Sequence, residues 1–223
     1  GVLAAAPHEI YQVLADADLP YPRVTLSDGT QALLNKAGYA RCRSLANRGD
    51  REAVFQAFWQ AVAGFRSTFA AQLNAQVKRD LFYARTRNYP SALHTALDRD
   101  HVPVEVYHGL IANVTRNLDT FHRYLGIRKR MLGVDRLKYS DLYAPVVKDL
   151  KLDYTYDQAC ALVMDALEPL GKDYVAVVKR ALEERWIDVF PTTAKRSGAY
   201  SNGGCYDVHP YILLNFNGQF GDV

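Results

Sequence analysis

A chain of 223 residues with 49% hydrophobic content has enough apolar material for one large domain or one and a half. Its 27 basic and 24 acidic residues are mixed rather than segregated, so the net charge of +3 leaves no footprint for nucleic acid, and no apolar run approaches the roughly 20 residues that cross a bilayer. The opening GVLAAAPHEIYQ has neither a basic nor a long apolar leader region, which points to a soluble, cytoplasmic protein without membrane or nucleic-acid partners.

In chain order, residues 7–15 carry Ile10, Val13 and Leu14 at helical spacing, with Pro7 suited to a first turn. Two extended runs, 23–26 and 31–34, flank Ser27-Asp28-Gly29-Thr30 and predict a hairpin. Asn35 is placed to cap a helix over 36–46, and Arg48-Gly49-Asp50 reads as its break. From 51 to 87 nothing interrupts the helical pattern of Val54, Phe58, Val62, Phe65, Phe69, Leu73 and Val77, with Gly64 as the weak point. Such a helix would be about 55 Å long at 1.5 Å per residue. Tyr89-Pro90 ends it, and Ser91 caps a short helix over 92–97.

A second long helix is expected over 103–132, stopped by Gly133 after the basic turn Arg128-Lys129-Arg130. Along it Val104, Tyr107, Ile111, Val114, Leu118, Phe121 and Leu125 alternate three and four apart, a seam that should pack lengthwise against the preceding long helix. Residues 138–143 read as extended. Thr155 and Gln158 make a capping box for a helix over 156–167, and 174–184 is one more helix after Gly171. The fold class is therefore mainly α, with long antiparallel helices and a small β-sheet near the C-terminus.

Several residues invite a chemical reading and do not sustain it. Glu105 with His108 and Asp119 with His122 have the spacing of metal-binding helix pairs, but they lie fourteen positions apart, about 21 Å along one helix. Cys42, Cys160 and Cys205 are too scattered for a zinc ribbon or a disulfide framework and read as three reduced thiols. Neither Lys195-Arg196-Ser197-Gly198 nor Ser201-Asn202-Gly203-Gly204 has the order of a phosphate loop, and no Ser or Cys stands in a nucleophile elbow.

The texture changes after residue 187, where glycines and turn signals surround two strand-like runs, 198–201 and 211–216, and Asp222 stands as a helix N-cap. His209, fixed by Pro210 before an apolar strand, belongs on the rim of any cleft the sheet forms. Three stretches here closely resemble the segment that precedes the zinc motif of oligoendopeptidase F: Arg185-Trp186-Ile187-Asp188-Val189, Lys195-Arg196-Ser197-Gly198-Ala199-Tyr200-Ser201, and His209-Pro210-Tyr211-Ile212-Leu213-Leu214-Asn215-Phe216-Asn217-Gly218. The resemblance extends to Tyr139-Ser140-Asp141-Leu142-Tyr143-Ala144-Pro145, Arg123-Tyr124 with Arg128-Lys129, the region from Tyr83-Ala84-Arg85 to Leu97, and Asp50-Arg51.

That family consists of thimet-oligopeptidase-like zinc metallopeptidases. The resemblance implies a mostly helical peptidase whose two lobes enclose a channel, with one zinc bound by an HExxH helix that follows a segment like Gly221-Asp222-Val223. On this reading residues 1–65 end an N-terminal helical lobe. Residues 66–223 are the first half of a zincin-like catalytic domain without its zinc-binding helix. No catalytic or metal-binding residue is carried over. Gly198, Ala199, Tyr200 and Ser201 match a strand that holds extended peptides through their backbone, with His209 and Tyr211 beside it. The implied partners are short peptides, and either the remaining C-terminal part of the enzyme or a second copy. The competing reading is a non-catalytic helical peptide-binding or scaffold protein.

Overall fold

The computed structural model describes residues 4–147, 153–192, 195–204, 206–219 and 221. Cys205 and Asp222 lie outside them. The chain divides into two compact units, Gly1–Pro20 with Trp59–Val146 and Tyr21–Phe58 with Val147–Val223.

The first unit is helical. Helix α1 (Ala6–Val13) starts with Pro7 in its first turn and runs into a π-helical turn, Leu14–Asp18. It packs on α4 (Arg66–Thr86), where the Tyr11 and Phe69 rings lie 6.1 Å apart. The expected 51–87 helix is in fact two. Helix α3 (Arg48–Ala63) ends where Gly64 N–H is shared between the Gln60 and Ala61 carbonyls, and Phe65 leaves helical geometry before α4 begins. Ser91 caps α5 (Ala92–Asp98), its Oγ accepting from His94 N at 3.3 Å.

The 103–132 helix is likewise divided, at Asn117, into α6 (Val104–Arg116) and α7 (Leu118–Leu132). Its seam does not pack as expected. The main contacts of α6 are with its sequence neighbours α5 and α7, and Tyr107, Ile111, Val114 and Phe121 are 41–57% exposed. Residues 138–143 are not extended but form a 3-10 turn at Tyr139–Asp141. The buried Asp141 carboxylate accepts from Lys138 N at 3.0 Å, and the buried Arg128 guanidinium donates to the Asp141 and Ala144 carbonyls. A carboxylate reaching back to its own turn competes with extended backbone, and this one wins.

The second unit holds both sheets. Strands β1 (Arg23–Thr25) and β2 (Gln31–Leu33) form the expected antiparallel hairpin. Asn35 caps α2 (Lys36–Cys42), its Oδ1 accepting from Gly38 N at 2.8 Å. A Cβ at Gly38 would stand 1.9 Å from the Leu33 carbonyl oxygen, so only glycine lets α2 fold back on β2. Helix α2 ends earlier than expected, and Arg48-Gly49-Asp50 is not a break but the first turn of α3, with Asn47 Oδ1 accepting from Asp50 N. Asp50 then clasps the hairpin loop through Ser27 N and Oγ at 2.8 and 2.7 Å. Leu34, Cys42, Val54 and Phe58 are buried, and the Tyr39 ring stacks on Phe58 at 4.2 Å.

Further along, Thr155 and Gln158 close their capping box on α8 (Tyr156–Leu167), followed by a 3-10 turn, Glu168–Leu170, and α9 (Lys172–Glu183). Strands β3 (Ile187–Asp188), β4 (Tyr200–Asn202) and β5 (Tyr211–Leu213) form the second sheet, in the order β3-β5-β4.

Candidate functional site

Strand β5 is central, parallel to β3 and antiparallel to β4. Ile212 N donates to Trp186 O at 2.9 Å and Leu214 N to Asp188 O at 2.8 Å, so these residues turn their backbone polar groups toward β3. Alternation along a strand then turns Tyr211 and Leu213 toward β4, where they face Asn202 and Tyr200. Ser201 is left with its N–H and C=O directed to the opposite edge. Among the described residues no strand pairs with that edge, and all of β4 is exposed.

The strand starts two residues later than the sequence suggested, because Gly198 has φ +86°, which an extended strand does not admit. A Cβ at Gly198 would meet nothing within 4 Å, so the backbone conformation alone requires glycine there. Asn215 Nδ2 donates to the Arg196 and Gly198 carbonyls at 2.9 and 2.8 Å and fixes the approach to β4. Lys195 Nζ holds the Asp188 and Phe190 carbonyls at 3.1 and 2.7 Å. Sequence reasoning missed Asn215 and Lys195, since neither role has a local motif.

His209 lies flat on the Trp186 ring, centroids 4.5 Å apart and 4° from parallel, with Tyr211 4.7 Å from His209 and the Arg180 guanidinium 5.1 Å from the Trp186 ring centre. His209 Nδ1 donates to the Pro210 carbonyl at 2.9 Å, and Trp186 Nε1 to Glu184 Oε2 at 3.1 Å. The structure therefore brings His209 and Tyr211 together, with His209 on Trp186, a residue the sequence placed in a resembling stretch without a role.

Beside Gly198 and Ala199 a cleft of about 320 Å³ opens, bounded also by Phe216 and by Lys36, Ala37 and Ala40 of α2. Phe216 is buried and meets Tyr156 and Phe190 at ring distances of 5.8 and 6.4 Å. Burial, and then a hydrogen bond with Cys160, pushes the Tyr156 phenol up to about 12.

Among the described residues no three His, Cys, Asp or Glu side chains converge as metal ligands, so the described donor set does not fit a zinc centre. Glu105, His108, Asp119 and His122 are all exposed on α6 and α7. Cys42 and Cys160 are free thiols. No helix among the described residues is long and apolar enough to cross a membrane.

The sequence profile described as Peptidase family M3 matches residues 42–223. The chain belongs to this peptidase family. It is 35% identical over 213 residues to oligopeptidase PepF of Bacillus subtilis, covering 96% of this chain and 32% of that relative. It is 36% identical over 211 residues to group B oligopeptidase PepB of Streptococcus agalactiae, covering 95% of this chain and 35% of the relative. An oligoendopeptidase F homolog of Lactococcus lactis is 34% identical over all of this chain and 37% of its own length.

The chain thus spans about a third of the length of the curated relatives it matches. The solved oligoendopeptidase-F of Enterococcus faecium superposes with a TM-score of 0.63 at 32% identity, over 82% of this chain and 34% of that one. PZ peptidase A, solved with an inhibitor, shares the fold at a TM-score of 0.81 and 17% identity, over 99% of this chain and 39% of its own. The mainly α architecture with a small C-terminal sheet is that of the family's solved members.

Proposed function

We propose that this M3-family chain is the peptide-holding part of an oligoendopeptidase F-like metallopeptidase that cuts internal bonds of short peptides. One observation carries the reading: the outward N–H and C=O of Ser201, on a strand edge that no described strand pairs, approached through Gly198 and Ala199, which border a cleft. An extended peptide adding to that edge would be held by its backbone whatever its side chains, and alternate side chains would turn toward the sheet's two faces. Gly198, Ala199, Tyr200 and Ser201 form the approach and the edge. His209, stacked on Trp186, and Tyr211, tilted against His209, support it.

The 223-residue sequence has no HExxH, the zinc motif of the family it resembles. We assign hydrolysis to a metal held by further polypeptide in a protein of the relatives' length, and the chain alone is expected to cut nothing. In that longer protein residues 1–65 would end a helical lobe and 66–223 would begin the catalytic domain. The exposed apolar face of α6 and α7 supports a further partner, either additional polypeptide of the same enzyme or a second copy. The free thiols of Cys42 and Cys160 support a reducing, cytoplasmic setting.

Ser201→Pro tests the edge directly. It removes the outward N–H and leaves the inward ladder of Tyr200 and Asn202 in place, and proline keeps the preceding residue extended. A short peptide titrated into the chain should slow hydrogen exchange at Ser201, and Ser201→Pro should weaken its binding about tenfold. Unchanged binding by the variant would sink the reading. An internally quenched peptide incubated with the chain and zinc should stay intact; chelator-sensitive cleavage would overturn the assignment of the metal elsewhere.

A further inference from the structure

Arg79 and Tyr83 of α4 and its C-terminal cap Arg87 follow one another four residues apart, and they border a cleft of about 460 Å³ that α5 and Arg99 line on its other side. Asp80, the acidic residue of this cleft, is already occupied. Arg79 Nη2 and Nε donate to its Oδ1 at 2.7 and 3.0 Å, and Gln76 Nε2 donates to both carboxylate oxygens at 3.1–3.2 Å. Arg79 Nη1 is spent on the Ala4 carbonyl at 2.9 Å.

Two guanidinium groups remain. Arg87 lies over the Tyr83 ring, 5.3 Å from its centre, which restrains it without neutralising it. Arg99 follows Asp98, but that carboxylate accepts from the Tyr89 hydroxyl instead. Neither Arg87 nor Arg99 has a carboxylate within ion-pair distance among the described residues. Arg87 and Arg99 thus border one cavity without a carboxylate partner, and their planar forks match the oxygens of a carboxylate or phosphate. The volume suits a small ligand rather than a lone ion.

We propose that the α4–α5 cleft binds an oxyanion carried on a small ligand, with Arg87 and Arg99 as its hydrogen-bond donors and the Tyr83 ring as its wall. The site is independent of the β4 edge. Titration of the full chain with inorganic phosphate, and with trialanine as free acid and as C-terminal amide, should give salt-sensitive binding. That binding should fall about tenfold in R87Q/R99Q and stay unchanged in K172Q. Preference for the free acid over the amide assigns a peptide carboxylate as the source; phosphate binding without that preference assigns a phosphate. In the unaltered chain, a bound probe should protect Arg87 and Arg99, but not Arg123, from phenylglyoxal, which keeps the test independent of the variant's folding. The proposal is overturned if no probe binds at millimolar concentration, if K172Q loses as much as R87Q/R99Q, or if protection extends equally to Arg123.

Discussion

Helix α3 and the pair α6–α7 both carry apolar residues three and four positions apart, yet Val54 and Phe58 are 0% and 7% exposed while Ile111 and Val114 are 48% and 57% exposed. Connectivity makes the difference. A short hairpin and the seven-residue α2 lie immediately before α3, and Asp50 clasps the hairpin loop, so a partner surface is delivered within thirty residues of sequence. Helix α5 is too short to cover α6 and α7, and the longer α4, though close before them in sequence, packs on α1 and α5 instead. Periodicity specifies which face of a helix is apolar; what that face meets depends on chain that is not local to it.

The sharpest way to break this comparison is Arg51→Ala. The buried Arg51 guanidinium donates to the Leu45 and Ala46 carbonyls at 2.7 and 2.8 Å, which closes the α2–α3 link over the core. Removing it takes the guanidinium donor from both carbonyls and empties the buried space its side chain fills. Destabilisation of about 3 kcal/mol is expected in urea denaturation, since hydrogen bonds from a buried charged side chain, and its packing, are costly to lose. A loss below about 1 kcal/mol would show that the packing around α3 does not depend on the link.

Local signals were the legible ones. Asn35, Ser91, Thr155 with Gln158, and the hairpin around Asp28-Gly29 each act through their own neighbours within three residues, and the structure uses every one. What escaped the sequence depended on distant or competing groups. Asp141 folded its own segment into a turn that its extended look concealed. Gly198 delayed β4 by two residues through a positive φ that composition alone does not announce. At the candidate site the strand edge and His209 were visible, whereas Trp186, Asn215 and Lys195, which hold them in place, stood in the resembling stretches without a role, because their contacts act across five to twenty-three residues.

A smaller effect separates the second unit's aromatic cluster from an ordinary surface. Tyr156, packed against Phe190 and Phe216, keeps its proton to about 12, whereas an unfolded tyrosine loses it near 10. Between those values the native state holds a proton that the unfolded chain has released, so stability falls as pH rises through this window and is unaffected below it. Because the phenol is partly exposed, the loss is discounted to about 1 kcal/mol. Urea midpoints measured from pH 9 to 12 should show this slope, and Tyr156→Phe should flatten it. An identical slope in the variant would assign the effect to other groups.

The smallest expected effect is the most informative about α6 and α7. If their apolar face meets nothing in this chain, exchanging Ile111 for Gln removes no buried contact, and the unfolding free energy should change by no more than about 0.5 kcal/mol. The same exchange at Val54 should cost several times as much, because the lost methyls are buried and the new amide finds no partner. A loss of 2 kcal/mol or more for Ile111→Gln, growing with protein concentration, would mean that copies of the chain cover the face for one another. The seam would then be an interface in the chain as it stands, and the contrast between α3 and α6–α7 would be one of partner, not of burial.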